Sequence, residues 1–195
     1  TKQLGKKPIL INDLKSIINA IDQFNKIEKK KLRDKAILLV GFSGGFRRSE
    51  LVEIEYDDVE FVSEGVKIFI KRSKTDQSGE GMIKAIPYFE NKNFCPVVNL
   101  KKWIDYSVIK SGKIFNISDK SVSLIIKKYA SLSGLDPNKY GGHSLRSGFA
   151  TSTAESGAEE RNIMAMTGHK TTQMVRRYIK DANLFKNNAL NKIKI

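Results

Sequence analysis

Val66-Lys67-Ile68-Phe69-Ile70-Lys71-Arg72 and Met82-Ile83-Lys84-Ala85-Ile86-Pro87-Tyr88 are the stretches where the apolar spacing of this chain switches to alternation. Alternation is the period of a strand, whose successive side chains point to opposite faces. Ser73-Lys74-Thr75-Asp76-Gln77-Ser78-Gly79-Glu80-Gly81 lies between them, polar and glycine-bearing. The two strands therefore form an antiparallel hairpin with Lys74 near its tip, and 59–62 adds a third strand. On both sides of this island the pattern is helical. Asn12-Asp13 is the expected cap of a helix through 24, with Leu14, Ile17, Ile18 and Ile21 on one face. A second helix covers 30–42 and ends at Gly44-Gly45, and a short third covers 47–54. Downstream, helices are expected over 96–109, 118–132, 144–157, 159–167, 171–181 and 183–193. The fold class is α+β: a mostly helical domain with one small antiparallel sheet.

Composition narrows the function. At 195 residues one domain is expected, and 40% hydrophobic content supplies a core, which excludes bulk disorder. The single cysteine, Cys95, excludes an intrachain disulfide framework and a Cys-rich zinc site. The longest apolar run, 36–42, is too short to cross a bilayer, and the first residues contain no signal-like apolar segment. A soluble, cytoplasmic protein with no membrane partner is expected. The net charge of +14 points to a polyanion, most simply nucleic acid. The charge is uneven. Residues 1–35 carry ten Lys/Arg against four acids, whereas 36–80 carry six against nine. Arginine is scarce, eight against 27 lysines, and five of the eight are Arg47, Arg48, Arg146, Arg176 and Arg177. A guanidinium is a planar fork matched to two phosphate oxygens, and a lysine is not.

Single motifs are weak. His143-Ser144-Leu145-Arg146 places an imidazole and a guanidinium one helical turn apart, preceded by Gly141-Gly142. In Thr167-Gly168-His169 the glycine ends one helix, and Thr171 or Thr172 can cap the next. His169 and Tyr178 converge only if His169 sits in that turn. Taken alone, Lys74 reads as a solvated loop lysine and Tyr178 as a rim or core residue. The two histidines, His143 and His169, lack the carboxylate spacing of a metal site. Neither a phosphate-binding loop of the G-x-x-x-x-G-K-[ST] type nor a G-x-S-x-G elbow is present.

Their order along the chain is specific. Gly45-Phe46-Arg47-Arg48-Ser49-Glu50-Leu51, a strand–Lys74–strand hairpin, His143-x-x-Arg146, Gly168-His169 and Tyr178 resemble the tyrosine recombinase (phage integrase) family over about 8–182. The resemblance implies catalytic roles for Arg47, Lys74, His143, Arg146, His169 and Tyr178, with Glu50 supporting the site. Tyr178 is then the nucleophile that joins a DNA 3′-phosphate, Arg47 and Arg146 grip its nonbridging oxygens, and His143 transfers protons. Lys74 protonates the departing 5′-oxygen, and His169 hydrogen-bonds the phosphate. Neither metal nor ATP is needed, because guanidinium forks neutralise the charge and the covalent link conserves the bond energy. The expected activity is site-specific cleavage and rejoining of double-stranded DNA. A type IB topoisomerase, a non-catalytic DNA-binding relative and a metal nuclease are the rival readings.

The family also implies a helical DNA-clamping domain ahead of the catalytic one. Residues 1–12 read as a remnant of the interdomain linker, 13–181 as the catalytic domain and 182–195 as an amphipathic tail helix. Phe185, Ala189 and Ile193 recur every four residues in that tail, with Asn and Lys opposite. Tails of this kind in the family pack onto a neighbouring protomer, so self-association on DNA is expected, with the isolated fragment monomeric.

Overall fold

The computed structural model describes residues 5–71, 81–169, 171–184 and 186. Lys74 and nearly all of the expected tail helix therefore lie outside the described residues. The elements run in the order α1 (Ile11–Phe24), α2 (Glu28–Ser43), α3 (Arg48–Val52), β1 (Val59–Val62), β2 (Gly65–Ile70) and β3 (Met82–Pro87). They continue with α4 (Pro96–Ser107), α5 (Asp119–Leu132), α6 (Ser144–Glu155), α7 (Glu160–Thr167) and α8 (Thr172–Asn183). The mostly helical α+β expectation holds.

Helix α2 is the centre of the body. Every residue of 34–43 is buried, so this half of the helix is surrounded by protein on all sides. It packs against α4, α6, α1 and α5. Two of its buried polar residues are charged, and both are partnered. Asp34 accepts from Tyr129 of α5 at 3.0 Å, and Lys35 pairs with Asp22 of α1 at 3.0 Å. Helix α1 begins one residue before the expected cap, and its N-cap, Leu10, makes no side-chain cap bond. Asp13 is taken up elsewhere, accepting from the Tyr140 hydroxyl at 2.9 Å.

The sheet is antiparallel in the order β1-β2-β3, with Ile68 opposite Val59 on one side and Lys84 on the other. Val66, Ile68 and Ile70 point inward from β2, and Lys84 and Ile86 from β3. Lysine on the inward face of a strand is the one clear departure from the alternation expected of this sheet.

A second, smaller apolar cluster joins the last three helices. Phe149, Ala150 and Ala154 of α6, Ile163 of α7 and Val175 of α8 are its buried members. Arg176 of α8 also pairs with Glu160 of α7 at 3.3 Å. Among the described residues, no helix is long and apolar enough to cross a membrane.

Candidate active site

Two left-handed glycines make the turns that carry the site. Gly45 (φ 57°) follows α2, and Gly168 (φ 66°) ends α7. This backbone conformation costs an L residue about 1–2 kcal/mol. Space is short at both places as well. A Cβ at Gly45 would lie 2.8 Å from the Phe149 ring, and one at Gly168 would lie 3.3 Å from Met82 Sδ. Arg47 follows the first turn and His169 the second.

Arg47 is the N-cap of α3, which begins with Arg48 rather than Arg47. Its Nη1 donates to Glu50 Oε1 at 2.6 Å, and its backbone N–H donates to Glu50 Oε2 at 2.9 Å. The carboxylate three residues on thus holds both the helix start and the guanidinium. Burial alone would raise the pKa of Glu50. The Arg47 backbone bond, the charge of Lys84 and the Arg47 guanidinium outweigh burial and hold the pKa below its ordinary value. Arg48 turns elsewhere, contacting Ser123 at 3.1 Å and Asp119 at 3.8 Å. The glycine pair before His143 admits this side chain: a Cβ on Gly142 would fall 1.8 Å from Arg48 Cδ.

Arg146 projects from α6 and is 5% exposed. Its Nη1 donates to the Gly45 carbonyl at 3.0 Å, and its Nη2 lies 3.3 Å from His169 Nε2. Burial, then repulsion from Arg47, lowers its pKa to about 10, which leaves it charged at neutral pH. Thr167 fixes the proton on the imidazole. Its hydroxyl donates to the Ile163 carbonyl at 2.8 Å, as helical threonines do, and lies 2.7 Å from His169 Nδ1. The hydroxyl proton is already used, so Nδ1–H donates to the threonine oxygen. Nε2 is then an acceptor aimed at the Arg146 guanidinium. Burial, then Arg146, Arg47 and Lys84, pushes the His169 pKa down to about 4, so the ring is neutral at pH 7.

Tyr178 is half-buried on α8, with its ring centre 6.2 Å from that of His169. It is near enough to Arg146 to count among the groups that oppose the fall in the arginine's pKa. Arg47, Glu50, Arg146, His169 and Tyr178 therefore converge from α3, α6, the α7–α8 turn and α8. His143 stands apart from this network. It is the exposed N-cap of α6, one turn from Arg146, with no side-chain cap bond. Among the described residues, no three His, Cys, Asp or Glu side chains gather as metal ligands would.

Two members of the cluster escape a reading of the sequence. Thr167 carries no motif signal beyond standing two residues before His169. Lys84 sits on β3 and donates to the carbonyls of Gly44 at 2.7 Å and Met166 at 2.6 Å. Strand parity was the available signal for Lys84. If Ile86 points in, so does Lys84, although Ile83 is the apolar neighbour that polarity alone would bury.

A model of the phage integrase family matches residues 9–184. An integrase/recombinase xerD homolog of Selenomonas ruminantium is 47% identical over 205 residues, covering 99% of this chain and 59% of that protein. The chain spans about half the length of other curated relatives it matches, such as a tyrosine recombinase of Agathobacter rectalis. Among solved structures, XerH site-specific recombinase bound to its palindromic difH substrate superimposes with a TM-score of 0.74. That match has 16% identity and covers 96% of this chain and 56% of that one. A lambda integrase tetramer bound to a Holliday junction superimposes with a TM-score of 0.62 at 18% identity, covering 100% and 52%. At these identities the two structures establish the fold.

Proposed function

The chain belongs to the phage integrase family of tyrosine recombinases, and on that premise we propose that it cleaves and rejoins double-stranded DNA at specific sites through a 3′-phosphotyrosyl intermediate. The convergence of Arg47, Glu50, Arg146, His169 and Tyr178 from four segments of the chain carries the reading. Two arginines share this cluster with one carboxylate, so it holds an excess of positive charge even before Lys84 is counted. A phosphodiester supplies the missing anion. Buried, pre-oriented guanidinium groups stabilise the further charge that develops as phosphorus becomes pentacoordinate.

The step balances without a cofactor. The Tyr178 hydroxyl attacks phosphorus and forms a P–O bond, while the bond to the 5′-oxygen breaks. His143, exposed at the head of α6, supplies acid–base capacity for the phenolic proton. Lys74 gives a proton to the departing 5′-oxygen. Reversal restores the phosphodiester, so ATP has no part, and the arginine forks take the place of a metal. His169 has its Nδ1–H on Thr167 and its Nε2 facing Arg146, so in this geometry it orients the guanidinium. An anionic phosphate raises the pKa of the imidazole, and a proton gained on Nε2 then lets His169 donate to the phosphate.

We further propose that copies of the chain associate on DNA through the tail. An apolar groove of about 640 Å³ is lined by Ile11, Leu14, Phe42, Phe89, Phe149 and Met166, among others. Its apolar lining suits the apolar stripe of an amphipathic helix. Lys186 donates to the Glu155 carbonyl, and the next two residues, Ser156 and Gly157, line the groove. The chain therefore leaves α8 beside the rim.

The deciding experiment is Tyr178→Phe on a nicked suicide substrate. The SDS-resistant protein–DNA adduct should vanish while DNA binding stays near wild type, because Lys and Arg contacts to phosphate dominate affinity. An adduct that persists in the Phe variant overturns the assignment.

A further inference from the structure

Lys84 is 0% exposed, so DNA cannot reach it, and the chemistry above leaves it without a task. Its surroundings are specific. The two carbonyls it holds belong to Gly44, the C-cap of α2, and to Met166, in the last turn of α7. Carbonyls at helix C-termini lack intrahelical donors and favour a cation. The amine also lies 4.5 Å from the centre of the Phe46 ring, and these three partners account for its three protons. A methionine would fill the same space without desolvating a charge, so packing alone does not explain an amine here.

What the two carbonyls adjoin explains it. Gly44 precedes Gly45, whose carbonyl holds Arg146, and stands three residues before Arg47. Met166 precedes Thr167, which sets the His169 proton, and stands three residues before His169. We propose that Lys84 is a positioning residue: by bridging the ends of α2 and α7 it sets the distance between the Arg47–Arg146 side of the site and the His169–Tyr178 side. Electrostatics agree with close integration into the site. Burial lowers the Lys84 pKa to about 7, with Glu50 opposing the fall and Arg146 and Arg47 adding to it.

The inference rests on the recombinase reading, so the test keeps the two apart. Lys84→Met and Lys84→Gln are compared with the unaltered chain in single-turnover cleavage, DNA affinity, thermal melting and imidazole NMR. The chain has two histidines, so the His169 ring signals are readily assigned. Lys84→Met should bind DNA within about twofold of wild type, because it touches no phosphate. Per folded molecule it should cleave at least about tenfold more slowly. The His169 ring resonances should shift. Lys84→Gln, whose shorter amide reaches at most one of the two carbonyls, should fall between. It decides the matter by the same criteria if the Met variant does not fold. Wild-type cleavage per folded molecule, or a loss that only follows the unfolded fraction, overturns the proposal. Unmoved His169 resonances overturn it even without a cleavage assay. Absence of a Tyr178-dependent adduct in the unaltered chain is instead a failure of the recombinase reading, and the NMR comparison then decides the positioning claim alone.

Discussion

Thr167→Val removes one oxygen from the site and leaves its shape almost unchanged. Thr167 is 1% exposed, and its hydroxyl is the acceptor that keeps the His169 proton on Nδ1. Without it the ring has two options. It can keep Nδ1–H and bury it unpaired, at about 1–3 kcal/mol. Or it can move the proton to Nε2, which sets an N–H against an Arg146 guanidinium nitrogen only 3.3 Å away. In the first case the ring that faces Arg146 is no longer held in place, and in the second Arg146 loses its acceptor and is held through the Gly45 carbonyl. A loss of about 1.4–3 kcal/mol in transition-state stabilisation corresponds to a cleavage rate about 10- to 100-fold lower. Global stability should fall by a smaller amount, about 1 kcal/mol, or a melting shift of about 2–4 °C at this chain length. Single-turnover cleavage and the nitrogen-15 shifts of the His169 ring are the readouts. Thr167→Ser, which keeps the oxygen, should restore both. A Val variant that cleaves at the wild-type rate with its proton still on Nδ1 would refute the orienting role argued for Thr167.

Arg146→Lys should lose at least about 100-fold in cleavage with little change in DNA affinity, because one ammonium cannot hold the Gly45 carbonyl and grip a phosphate in two places at once; single-turnover rates at saturating DNA check this. Acid should destabilise the fold through His169. Its pKa is lowered to about 4, so between about pH 6.5 and 4 the unfolded chain takes up a proton that the folded chain does not. Stability is therefore lost as pH falls through that window, by at most about 3 kcal/mol, and urea melts of wild type and His169→Gln should converge at its acid end. Deleting the residues after Leu184 should leave single-site cleavage largely intact and weaken cooperative assembly on paired sites, measured by band shift. A deletion that only unfolds the domain would place the tail in the local core instead.

The sheet was legible because alternation is unambiguous over 66–72, and observed β2 ends within two residues of that stretch. Helix boundaries followed where glycine enforced them, as at Gly168, and drifted where the cap was inferred from residue type. Asn12-Asp13 promised a cap, but Leu10 took the position, since Asp13 had a better partner in Tyr140. Arg47, Glu50, Arg146, His169 and Tyr178 were singled out through the family resemblance, and the fold brings them together. The network that holds them was not legible. Lys84 reads as a solvent-facing residue until strand pairing sets its parity, and only the fold brings the ends of α2 and α7 to it. Thr167 matters through two bonds whose partners, Ile163 and His169, become informative only once their geometry is known.

Among the described residues of α8, Val175 is the one fully buried side chain, and it belongs to the small cluster rather than to the main core. Burying a valine contributes about 1.5–3 kcal/mol. The arginines, by contrast, are held by α3 and α6 against the central body. The protein thus invests unequally in the two halves of its chemistry. On the proposed chemistry, the groups that would grip the phosphate are built into the foundation, whereas the hydroxyl that would attack rides on a helix held by the small cluster with α6 and α7. Substitutions on the α8 side of the α6–α8 seam, such as at Val175, would bear on how that hydroxyl is presented before they bear on the arginines. Timing and recognition can therefore diverge separately from chemistry in a protein built this way.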